Sequence, residues 1–165
     1  MRDKRFVAEH RGGPLKKEQH RQLMDWACSC AEHVLVLCDP SLEEGLKNAL
    51  SVARDWKEGR ATVGEAQKAA WKTHALARTC SDPVSVAVAR AVGHTVATAH
   101  MADHALGSAL YALKAMKLKG NPAEMEKKWQ LEQLTTEIRE IVVTSVSPAG
   151  LMLRKLTFQI PENFS

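Results

Sequence analysis

"PVSVAVARAVGHTVATAHMADHALGSALYALKAMKLK", residues 83–119, is apolar almost all round. A helix with no polar face belongs in the centre of a domain. As one unbroken helix this segment would run about 55 Å at ~1.5 Å per residue. That is too long for a single domain of 165 residues. The segment therefore reads as a central Ala/Gly-rich helix pair with a break near His100–Asp103 and Asp103 capping the second half. Gly93 and Gly107 fall inside the pattern, where each costs about 1 kcal/mol against Ala. Close approach of neighbouring helices is the expected reason, supported by Ala87, Ala91, Ala97, Ala105 and Ala109.

The flanks carry helical punctuation. Leu23, Trp26, Ala27, Cys30, Val34 and Leu37 make one stripe at three- and four-residue steps, ended by Asp39-Pro40. "SLEE" (41–44) reads as a capping box, with Ser41 as cap and Glu44 three residues on. "TVGE" (62–65) repeats the device, and "SDP" (81–83) places Asp82 as cap with Pro83 at the first helical position. Gly59 and Gly120 are C-terminal stops. "NPAE" (121–124), with Asn121 as cap, Pro122 at the first position and Glu124 completing the box, opens a last helix carrying Leu131, Leu134, Ile138 and Ile141, closed by Pro148 at the latest. The sum is an all-α fold: a compact antiparallel bundle of six to seven helices.

Bulk properties agree. Apolar residues make up 45% and aromatics only 5%, which favours close-packed helices over a sheet. The net charge of +4 sits wholly in residues 1–22, which hold seven Lys/Arg and three acids. Residues 1–17 read as a basic, flexible arm with "RGGP" (11–14) as a break, residues 18–147 as the helical domain, and residues 148–165 as a tail of undefined structure. Only Phe6 interleaves with the basic residues of the arm, so nucleic acid is not an expected partner. No apolar run is long enough and uninterrupted enough for a membrane span. No secretory leader is read at the N-terminus, so a cytoplasmic location with reduced thiols is expected.

Four cysteines, Cys28, Cys30, Cys38 and Cys80, lack zinc-site spacing. Cys28 and Cys30 point to opposite sides of a helix, about 200° apart. The histidines are more suggestive. His94, His100 and His104 fall within eleven positions, with Asp103 among them. His100 and His104 have the i, i+4 spacing of paired ligands, but the glutamate of a HExxH zinc motif is missing. His94 lies about 120° from His100 on a continuous helix, so the three converge only if the chain turns between them. The simpler expectation is that they, with His74, satisfy polar groups across helices; neither metal nor cofactor is expected. No G-x-S-x-G, P-loop or G-x-G-x-x-G occurs.

"LMDWACSCAEHVLVL" (23–37), "ALSVARDWKEGRATVGEAQKAA" (49–70), "ARAVGHTVATAHMADHALGSALYALKA" (89–115) and "EKKWQLEQL" (126–134) resemble the all-helical immunity proteins of bacterial polymorphic toxin systems. The resemblance covers roughly residues 15–143 and is most specific in the histidine segment. It implies a non-enzymatic binding protein that neutralises a cognate protein toxin. Immunity proteins that plug basic nuclease sites are often acidic; a neutral body with a basic arm does not require a nuclease as the toxin. Trp71, Arg78 and Tyr111 are the candidate partner-binding residues, since aromatic and Arg side chains anchor interfaces. A homo-oligomer is left open. The alternative is a small helical metal protein or enzyme using His94, His100, Asp103 and His104.

Overall fold

The computed structural model describes residues 2–155. Eight α-helices follow two short 3-10 turns, Lys4–Phe6 and Glu9–Arg11. They are α1 (Lys17–Leu35), α2 (Pro40–Lys57), α3 (Val63–Thr79), α4 (Pro83–Ala97), α5 (His104–Leu118), α6 (Ala123–Glu132), α7 (Thr136–Val143) and α8 (Pro148–Lys155). Among the described residues there is no strand, only an isolated bridge between Ala8 and Leu15. No helix among them is long and apolar enough to cross a membrane.

α4 and α5 form the centre, as their composition dictates. α4 packs against α1, α2, α3 and α5; α5 adds α6 and α8. The contact with α1 is drawn together by a small polar knot. The Thr95 and Ser108 hydroxyls lie 2.7 Å apart, and each is 3.2 Å from the Ala27 carbonyl. Small side chains let these three backbones meet, and the hydroxyls satisfy each other in a region that excludes water. α1 is covered on several sides, so Cys28 and Cys30 are both fully buried despite pointing in opposite directions. Burial pushes the Cys28 thiol up to about 12 and the Cys30 thiol well above the usual range. They are unreactive packing groups.

The punctuation is largely as expected, with four differences. Thr62 and Glu65 form the capping box of α3, and Asp82 caps α4 through the Ser85 backbone N–H. For α2 the cap is Asp39, not Ser41: its carboxylate accepts from the Ser41 backbone N–H, with Pro40 at the first helical position. α6 starts at Ala123 without the Asn121 side chain as cap. The expected single helix after Pro122 is two, because the chain turns at Gln133–Thr135. This split and α8, inside the expected tail, raise the count above six or seven.

The expected flexible arm packs on the bundle instead. Phe6 and Leu15 are each 1% exposed. The Asp3 carboxylate accepts from the Arg5 guanidinium and from the Val146 backbone N–H, while Arg5 donates to Thr144. Two apolar side chains separated by the "RGGP" turn reach the core together; sequence periodicity cannot register so short a segment. The rest of the expected tail, residues 156–165, lies outside the described residues.

Candidate functional site

The histidines converge. α4 ends at Ala97, and the chain turns tightly through residues 98–103 before α5 begins at His104. His94 in the last turn of α4 and His104 at the start of α5 therefore face each other, their Nδ1 atoms 3.0 Å apart. One of the two nitrogens must carry the proton and the other accept it. His100 lies in the turn, 5.1 Å ring to ring from His104. His74, from α3, meets the His94 ring edge-on at 5.4 Å. Tyr111, about two turns into α5, stacks on His94 at 5.3 Å.

Two glycines make the room. A Cβ on Gly93 would stand 2.6 Å from His74 Cε1, and one on Gly107 would stand 2.7 Å from His94 Nδ1. Neither distance is sterically tolerable, so these positions exclude any side chain while the rings stay put. The glycines are thus explained more narrowly than by helix approach in general: each accommodates one imidazole.

The electrostatics keep the array neutral. Burial, then the His104, His74 and Arg90 charges, pull His94 down to about 4. His74, His100 and His104 are also lowered, in each case chiefly by burial. Arg90 donates to His74 Nδ1 at 3.0 Å, which fixes that nitrogen as acceptor. At neutral pH this is a row of four uncharged imidazoles linking α3, α4 and α5. Among the described residues no three His, Cys, Asp or Glu side chains are grouped to hold a metal ion.

Asp103 stands at the N-cap position of α5, but its side chain makes no capping bond. It pairs with Arg2 at 3.4 Å. Its Oδ1, like His100 Nδ1, is buried without a hydrogen-bond partner. The break is where expected, but the aspartate ties down the N-terminal segment rather than the helix end.

The three candidate contact residues do not form one patch. Trp71 is 63% exposed on α3, and Arg78 lies on the same side two turns on. Tyr111 is half-buried in the histidine row, with Lys114 Nζ 5.8 Å from its ring centre.

Sequence reasoning missed a second constellation. Glu126 on α6 is buried, and its carboxylate accepts from His33 Nδ1 at 2.7 Å and from Gln130 at 3.2 Å. The His33 ring stacks on Trp129 at 3.8 Å. Beside it, Lys127 is buried under α8, donates to the Leu153 carbonyl, and is lowered to about 8 by burial. The i, i+4 spacing of Glu126 and Gln130 hinted at a polar line on the inner face of α6. Nothing local could reveal a partner 93 residues away.

Compared with known proteins, residues 13–137 match the family model described as Imm-5 like putative immunity protein. No curated protein and no solved structure matches.

Proposed function

Because this chain belongs to the Imm-5 like family of immunity proteins, we propose that it binds a cognate bacterial toxin directly and neutralises it without catalysis. The observation that carries the reading is the family match, which takes in the whole of α1 to α6. Two pairings within the histidine row support it: His94 Nδ1 faces His104 Nδ1, and His74 Nδ1 accepts from Arg90, so these polar atoms are engaged inside the fold.

Co-expression with the toxin domain encoded beside its gene tests the proposal. Restored growth and a stable one-to-one complex are expected. If the neighbouring toxins neither bind nor lose toxicity, the reading fails. The rival is a metal protein or enzyme at His94, His100, Asp103 and His104, and the 3.0 Å approach of His94 to His104 is what favours it. Metal content of protein purified without a polyhistidine tag separates the two; one bound ion per chain would support the rival.

A further inference from the structure

α2 and α3 leave an open groove of about 780 Å³ between them. Its floor is apolar: Ala49 and Val52 from α2, Ala69 and Leu76 from α3. Gly45 keeps one end open. A Cβ there would come within 3.2 Å of Leu76 Cδ1. The α3 residues that line the groove run from Glu65 to Thr79. At ~1.5 Å per residue that is about 21 Å, or four helical turns.

The lip carries two cations, Lys68 and Lys72, against one acid, Glu65. Both lysines line the groove and are exposed, and among the described residues they form no ion pair. On the facing helix α2 and the turn after it the cations are matched instead: Lys47 with Glu43, Arg54 with Glu32, Lys57 with Asp25 and Arg60 with Asp55. Glu65, the acid on the same lip, is already committed, since its carboxylate accepts from the Thr62 backbone N–H at 2.7 Å. Trp71, 63% exposed, stands about 60° around α3 from Lys68. Solvated surfaces seldom expose a tryptophan so fully, and Trp and Arg are the commonest anchors of protein interfaces.

We infer that the α2–α3 groove is the toxin-docking surface. Its occupant is an amphipathic helix of the toxin with acidic residues flanking its apolar stripe. The apolar face seats on Ala49, Val52, Ala69 and Leu76, the acids meet Lys68 and Lys72, and Trp71 clamps the outer edge. This assignment rests on the immunity reading above. It also departs from the usual charge sense of nuclease inhibition, because here the inhibitor contributes the cations.

The test uses the full chain and the toxin domain encoded beside its gene. Lys68→Glu/Lys72→Glu and, separately, Trp71→Ala are compared with Lys128→Glu, a charge reversal on α6. The groove variants are expected to keep the wild-type melting temperature and lose roughly 30-fold or more in affinity. The double reversal should also slow association and flatten its salt dependence, whereas Lys128→Glu should bind as wild type. If the groove variants bind and protect like wild type, the groove assignment is overturned and the immunity reading stands. If they dissociate a dimer of this chain without weakening toxin binding, the groove joins copies of the chain and the assignment is likewise overturned. If the wild-type protein neither binds nor protects, both fall.

Discussion

Gly107 lacks a side chain at the point where the His94 ring lies: a Cβ there would be 2.7 Å from His94 Nδ1. Alanine would improve helix propensity by about 1 kcal/mol, but it would overpack a closed site, which costs about 1–3 kcal/mol. The steric term should win, because His94 is hemmed in by His74, His104 and Tyr111. Gly107→Ala is expected to lower stability by about 1–2 kcal/mol in chemical denaturation. Adding His94→Ala should recover part of that loss. A Gly107→Ala protein more stable than wild type would refute the account.

The histidine row makes stability fall in acid. Each of His74, His94, His100 and His104 has a folded value below its ordinary one, so the unfolded chain binds protons first. The groups facing them are Arg90 and Arg78 near His74, Arg11 near His100, and Arg2 with Asp103 near His104. Stability is therefore full above about pH 6.5 and declines as pH drops toward the folded value of His94, about 4. His94 alone accounts for up to about 3 kcal/mol, at ~1.36 kcal/mol per unit. Melting curves from pH 7.5 to 4.5 should show the decline, and His94→Gln should flatten it.

His33 supplies one of the two side-chain hydrogen bonds of a buried carboxylate. The Glu126 side chain is 1% exposed and its other partner is the neutral Gln130 amide. His33→Ala leaves Glu126 Oε2 without its partner, at a cost of about 1–3 kcal/mol. Glu126→Gln in the same chain replaces the stranded carboxyl with an amide and should restore much of the stability. Equal losses for the single and double variants would show that the pair contributes only packing.

Phe6 anchors the N-terminal segment, with 1% of its surface exposed. Phe6→Ala is expected to cost about 3 kcal/mol and to expose the Arg11–Gly12 bond to limited proteolysis. Wild-type resistance in the variant would mean that Asp3, Arg5 and Leu15 hold the segment without it.

Much of the fold was legible locally. The all-round apolar run 83–119, the capping residues Thr62 and Asp82, and the break at His100–Asp103 each follow from a few adjacent residues, because helix periodicity and capping are short-range effects. The split between α6 and α7, the burial of Phe6 and the Asp39 cap escaped. The first two depend on contacts with distant elements, and at the start of α2 two neighbouring residues compete for one role.

For the candidate site the division is sharper. The sequence by itself determined that three histidines and two glycines share the central helix pair, and that α4 and α5 must be buried. Only the tertiary structure decided that Gly93 makes room for His74 and Gly107 for His94, that His33 holds Glu126, and that Lys68 and Lys72 edge an open groove. These are relations between elements, and side-chain chemistry is encoded one residue at a time. Which ring meets which glycine follows from how α3, α4 and α5 are seated against one another, and no spacing along the chain carries that information.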